Sequence, residues 1–379
     1  MSTEEKTLAS AAASMSLHCE AKANLVSDGD GERTSRCSDE EQVGHQVLDA
    51  LRMWWRQSAT ARRTATRRRC ENAGTCVTMS AGGSFSAAVT PNGRLRLWGN
   101  SLASENGLNV HHGHGCGSSS GEDDAAPFVA VSAGAAHVLA LRGDGSVHCR
   151  GTDRDSRAPA RGVTGPFVAV SAGVAHSLAL RDDCTVACWG RNHDGQAPLH
   201  GLPGESFVMV AAGGYHSLGL RPDGSLRAWG RNVEGQCEVP TPIFGKFKSI
   251  AAGHLHSLAL REDGRIFAWG SNATRQATPP EGEFVAIAAG SAFSLALTPA
   301  GSVVHFGHEN YGCPPADKQR GPYVGISAGA YHALALRADG SVVCWGLNDL
   351  QQAPPHGVSV DGEHVRACRL GWRFLDRLD

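Results

Sequence analysis

The chain has 379 residues, 41 % of them apolar, which suffices for one large domain or two ordinary ones with a real core. No run approaches the ~18 apolar residues needed to cross a bilayer, and the start at Met1, Ser2, Thr3, Glu4 and Glu5 lacks the basic and apolar regions of a signal peptide. The net charge of −2 says little about partners, whereas 47 glycines set between short apolar runs predict many tight turns and many short strands.

Residues 1–37 read as a disordered segment, since residues 1–50 carry ten acids against four bases and few core formers. From Ser38 the pattern changes. Ser38 and Glu41 have capping-box spacing, and Val43, Val47, Leu51 and Trp54 recur at helical spacing, so an amphipathic helix is expected over 38–57. Residues 51–70 then hold seven arginines and no acid. Arg62, Arg63, Arg67, Arg68 and Arg69 carry two readings: a solvated linker that completes a segment 38–74, or a nuclear-import or nucleic-acid patch.

Residues 75–353 are one phrase repeated seven times. The stretches from Phe207 to Gly230 and from Phe247 to Gly270 are its clearest copies. The glycine of an Ala-Gly pair falls at Gly82, Gly134, Gly173, Gly213, Gly253, Gly290 and Gly329, with spacings of 52, 39, 40, 40, 37 and 39. Each unit parses into three strands. The first is of the type Phe167 to Ala172, and a tight turn follows at the glycine. The second is of the type His176 to Arg181. An Asp-Gly hairpin turn leads to the third, as at Asp223-Gly224, Asp263-Gly264 and Asp339-Gly340. The third strand ends in Trp-Gly, and a polar loop such as Arg191 to Gln196 leads onward. Small sheets that each need neighbours on both sides close into a ring. The expected fold is therefore all-β, a seven-bladed β-propeller with a disordered and helical N-terminal extension.

The recurring Ala-Gly-x-x-His-Ser-Leu-Ala-Leu, Asp-Gly, Trp-Gly and Asn-x-x-Gly-Gln elements resemble the repeats of the regulator of chromosome condensation family. The period of about 39 residues is similar to its short-repeat branch, which includes a bacterial inhibitor of β-lactamase. The resemblance covers about residues 75–353 and also implies a seven-bladed propeller. Arg150 and Phe306 stand where tryptophan is expected, and Phe85 and Phe293 where histidine is, so those blades are expected to be less regular. After the seventh repeat, residues 354–379 form a degenerate half-repeat, Glu363 to Trp372, which either pairs with blade 1 or is a frayed tail.

Several residues invite a chemical reading. His137, His176, His216, His256 and His332 occupy one equivalent position per blade, and a position so repeated is expected to satisfy the same backbone group in each blade rather than to line a metal channel. The Trp-Gly tryptophans are expected to pack between sheets. Cys149, Cys188 and Cys344 alternate with Ala228 and Ala268, which reads as a small buried apolar group. With no Cys-x-x-Cys pair, the 12 cysteines fit reduced thiols in an intracellular protein, cytoplasmic or nuclear. The long connection of repeat 1 holds His111, His112, His114 and Cys116, but its glycines and serines read as a pliable loop rather than a metal site. No phosphate loop, nucleophile elbow or His-Glu-x-x-His occurs, so neither enzyme nor cofactor is expected.

Binding is expected on the end of the ring where the first turns and the polar loops emerge together. The candidates are Tyr215, His254, Leu255 and Tyr331 from the turns, and His193, Asp194, Val233, Glu234, Asn310, Tyr311 and Asp349 from the loops. The expected function is that of a monomeric protein-binding scaffold. The family resemblance implies an alternative, guanine-nucleotide exchange on a small nuclear GTPase with chromatin contact through the basic segment. A third reading places the Trp54-Trp55 helix on a membrane surface.

Overall fold

The computed structural model describes residues 78–354, apart from 91, 100–125, 160–161, 240–244, 312–313, 315–320, 322 and 339. The expectations for 1–37, for the helix at 38–57, for the arginine run, for the histidine loop of repeat 1 and for the half-repeat after Pro354 lie outside the described residues. Among the described residues no helix is long and apolar enough to cross a membrane.

Seven antiparallel sheets follow one another, each of three strands paired in chain order. Blade 1 comprises Met79–Ala81, Phe85–Val89 and Leu95–Gly99; blade 2 comprises Phe128–Ala133, His137–Arg142 and Val147–Gly151. Blade 3 holds Phe167–Ala172, His176–Arg181 and Val186–Gly190; blade 4 holds Met209–Ala212, His216–Leu220 and Leu226–Gly230. Blade 5 is Phe247–Ala252, His256–Arg261 and Ile266–Gly270. Blade 6 is Ala286–Ala289, Phe293–Leu297 and Val303–Gly307, and blade 7 is Tyr323–Ala328, His332–Arg337 and Val342–Gly346.

The middle strand of every blade is buried on both faces, as a sheet covered on both sides requires. Adjacent sheets share their apolar groups: Leu178, Leu180, Val186 and Cys188 of blade 3 pack with Val210 and Trp229 of blade 4. At the hairpin turns, Asp144, Asp183, Asp223 and Asp263 accept the backbone N–H two residues on. The next residue must take a positive φ, and it is Gly145, Gly224 and Gly264 in blades 2, 4 and 5 but Cys184, at 69°, in blade 3.

The expectation of less regular blades is corrected. Phe85 pairs with Gly99, Val138 with Arg150 and Ser294 with Phe306, the same register in which Ser217 faces Trp229 and His216 faces Gly230. The hairpin is set by its turn, which these substitutions leave alone.

The marker glycines explain the ring. A Cβ on Gly82 would lie within 3 Å of the Gly134 carbonyl oxygen, and the same holds of each glycine against the next, ending with Gly329 against Gly82. No side chain fits where seven turns meet. Gly83 N–H donates to Gly134 O, Ala135 to Gly173 O, Val174 to Gly213 O, Gly214 to Gly253 O and His254 to Gly290 O. Ala330 N–H donates to Gly82 O at 2.9 Å, and Ala81 N–H to Ser327 Oγ at 3.0 Å. Blade 7 thus closes directly on blade 1 through its own residues.

Candidate partner-binding face

The loop face stands on polar seams that join five of the seven neighbouring pairs of blades. His176 Nε2 lies 2.9 Å from Ser217 Oγ of the next blade, and that hydroxyl donates to Gln196 O, also at 2.9 Å. The same pair forms between His137 and Ser177, His216 and Ser257, His256 and Ser294, and His332 and Ser86. Because the serine proton goes to a loop carbonyl, the imidazole must supply the other proton. Each histidine is therefore the neutral Nε2–H tautomer with a bare, unpartnered Nδ1. Burial pushes His137, His176, His216 and His256 down to about 3, and His332 to about 4. The histidines are structural, but what they satisfy is a side chain of the neighbouring blade.

Two seams lack the pair, and both lack it on both sides. Phe85 meets Val138 in one apolar cluster, and Phe293 meets Ala333 in another. Had either partner stayed polar, a buried hydroxyl or ring nitrogen would face hydrocarbon.

Trp189, Trp229 and Trp269 Nε1 donate to the carbonyls of Arg157, Gln196 and Gln236, so each tryptophan ties the preceding blade's loop to its own sheet. The loops themselves are held from within. Asn192, Asn232, Asn272 and Asn348 accept the N–H five residues on, while Gln196, Gln236, Gln276 and Gln352 accept the N–H two residues back.

The residue after Trp-Gly donates its N–H to the first-turn carbonyl of its own blade, as Arg231 does to Tyr215 O and Leu347 to Tyr331 O. First turns and polar loops therefore share one end of the ring. Within this fixed frame His193, Val233, Glu234, Asn310 and Asp349 are exposed, Val233 at 74 %, whereas Asp194 is half-buried. Tyr331 is 40 % exposed, while Tyr215, His254 and Leu255 are half-buried.

The structure brings four of these candidates together, in two pairs, and groups none of the other seven with them. Tyr311 and Tyr331 lie 4.9 Å apart between ring centres, and His308 stacks on Tyr311 at 4.4 Å. In the other group Tyr215 and His254 lie 5.2 Å apart, with the Arg191 and Arg231 guanidiniums 5.8 and 5.7 Å from the tyrosine ring. Burial, and then Arg231, holds His254 below the usual histidine range. Arg191, Arg231 and His308 were not among the sequence candidates. Their signal lies in the chain nonetheless: the residue after Trp-Gly is Ser271 or Leu347 elsewhere, so the frame does not ask for arginine.

On the axis the Ala-Gly turns enclose a depression of about 120 Å³, lined mainly by alanine and glycine with His254 and Ser291. Ligand pockets run to ~300–1,000 Å³. The volume suits a few waters. At the opposite, hairpin end, Arg181 covers the Phe167 ring and Arg261 pairs with Asp263.

Four stretches, residues 167–196, 207–236, 247–276 and 323–352, match the model of the regulator of chromosome condensation (RCC1) repeat. These are blades 3, 4, 5 and 7 with the loops that follow them. No curated protein matches the chain. Among solved structures, human WBSCR16 is similar at 19 % identity and a TM-score of 0.58 over 68 % of this chain and 85 % of its own. The ectodomain of the Physcomitrella patens receptor kinase CR4 is similar at 23 % identity and 0.57, over 71 % and 73 %. Prp20p of Saccharomyces cerevisiae, described for its binding properties to Gsp1p and histones, is similar at 18 % and 0.54, over 72 % and 82 %. At these identities the likeness is one of fold.

Proposed function

We propose that this ring of regulator of chromosome condensation repeats is a non-enzymatic scaffold that binds a protein partner on its loop face. The observation that carries the reading is a mismatch between frame and decoration. The loops after blades 3, 4, 5 and 7 are held by the same Asn and Gln bonds and tied by the same bond to their first turns, yet Tyr215, Tyr331, Val233 and Leu350 stand on this frame where it needs no large group. Aromatic groups on a rigid rim lose little freedom on binding and suit an interface centre.

The His–Ser pairs do not support an enzyme. They have hydrogen-bond contact of the kind a nucleophile and base need, but all are fully buried and each serine proton is committed to a carbonyl.

The alternative, guanine-nucleotide exchange on a small GTPase, draws on the fold shared with Prp20p. Affinity capture on the full chain, followed by cross-link mapping, tests both. Cross-links clustered on blades 4 to 7 at the loop end are expected. Cross-links at the hairpin end would refute the scaffold reading. Recovery of a GTPase freed of nucleotide would favour exchange.

A further inference from the structure

Arg191 and Arg231 are placed by adjacent blades against one tyrosine. Each follows Trp-Gly, and each backbone N–H makes the same turn bond that Thr152, Ser271, His308 and Leu347 make in other blades. The fold therefore requires the backbone there and not the guanidinium. Both side chains are half-buried and lie within 6 Å of the centre of the Tyr215 ring. Gly214 lets the group close up, since a Cβ there would lie within 3 Å of the His254 ring.

What the two cations lack is an acceptor. Among the described residues neither is ion-paired, and both Nε atoms are buried without a hydrogen-bond partner. Asp194 and Glu234 follow three residues later in the same loops, and neither comes within ion-pair distance of them. Two guanidiniums thus lie within 6 Å of one ring with no counter-charge among the described residues, and a bound anion supplies one.

We propose that Arg191 and Arg231, gathered about Tyr215, form an anion site for a phosphate monoester carried on the partner protein. The inference rests on the loop-face reading and adds the chemistry the face selects. A phosphate monoester carries about −1.5 to −2 and three acceptor oxygens at neutral pH, which balances two guanidiniums. A carboxylate, or the single charge of a nucleic-acid phosphodiester, leaves one cation uncompensated.

The test is calorimetric titration of the full chain with four probes. These are a phosphoserine peptide with neutral flanks, its unphosphorylated form, its aspartate form and a single-stranded DNA oligonucleotide. The phosphopeptide is expected to bind at least tenfold more tightly than the other three, and inorganic phosphate to compete with it. The double variant R191Q/R231Q is expected to bring the phosphopeptide down to the level of the others, while Arg181→Gln at the hairpin end changes nothing. Should the double variant fail to fold, Arg191→Gln alone is expected to weaken the phosphopeptide severalfold. Equal affinity for the aspartate or unphosphorylated peptide, preference for the oligonucleotide, no binding of any peptide, or full affinity in the arginine variants would each overturn the proposal. A partner that cross-links to the loop face and survives phosphatase treatment would leave the scaffold reading standing and remove this one. Cross-links at the hairpin end would remove the scaffold reading while phosphopeptide titration still judged the site.

Discussion

Acid should unfold this ring through its five seam histidines. In the unfolded chain each titrates near 6.5, whereas in the ring burial holds four at about 3 and His332 at about 4. The folded value lies below the unfolded one, so the unfolded state binds more protons as pH falls. Stability is therefore whole above pH 6.5 and is lost progressively from there toward pH 3. At pH 5 each histidine favours the unfolded chain by about 2 kcal/mol, because one pKa unit is worth ~1.36 kcal/mol. The result holds for any folded value below pH 5. Five such groups amount to roughly 10 kcal/mol, against ~5–15 kcal/mol for a whole domain. Asp144, Asp223 and Asp263 are also held below the usual carboxylate range by their turn bonds and charged neighbours, but they are largely exposed and act only at lower pH. Urea unfolding followed by circular dichroism at pH 8, 7, 6 and 5 should show the midpoint falling steeply below pH 6.5. The double variant H216F/S257A copies the Phe293 and Ala333 seam and should remove about one-fifth of that loss. A midpoint unchanged between pH 7 and pH 5 would refute the reasoning.

Other expectations follow from single positions. Cys184→Gly should raise stability by ~1 kcal/mol, because the residue sits at a φ of 69° that glycine adopts without strain; a lower melting temperature would contradict this. Gly213→Ala should cost about 3 kcal/mol or prevent folding, since the new Cβ would press on the Gly253 carbonyl and on His216; wild-type melting would count against the packed axis. Tyr331→Ala should leave melting nearly unchanged and weaken the partner at least tenfold, ~1.4 kcal/mol, in a binding titration. Tyr215→Ala should also cost roughly 1 kcal/mol of stability, because it removes the ring against which two guanidiniums rest; equal melting would show that those contacts carry nothing.

The number of blades, their three strands and their turns were legible because each is written locally. Alternation, an Asp-Gly pair and a glycine at a constant interval all fall within one repeat. What joins repeats was not legible in the same way. Phe85 and Phe293 read as departures from a pattern, and their matching Val138 and Ala333 lie some forty or more residues onward, across a seam that only the ring creates. The partner of each histidine was missed for the same reason, as it belongs to the next repeat. Tyr215 read as a free side chain on a turn, whereas ring curvature brings Arg191 of the preceding blade against it. Cys184 shows the converse. Its turn forms with the wrong residue because Asp183 and the strand register impose it.

The seams also bear on how such a chain can gain or lose a blade. Every blade carries one key on its leading edge and one on its trailing edge, either polar or apolar. Blades 3, 4 and 5 each present serine to the blade before and histidine to the blade after. Removing or duplicating any one of the three leaves every junction matched: without blade 4, His176 would meet Ser257. Removing blade 1 would set His332 against Val138, and removing blade 6 would set His256 against Ala333. Blade 2 or blade 7, lost, would bring a phenylalanine onto a serine. As far as the seams decide, the middle blades are interchangeable as whole repeats, whereas the blades on either side are locked to their neighbours.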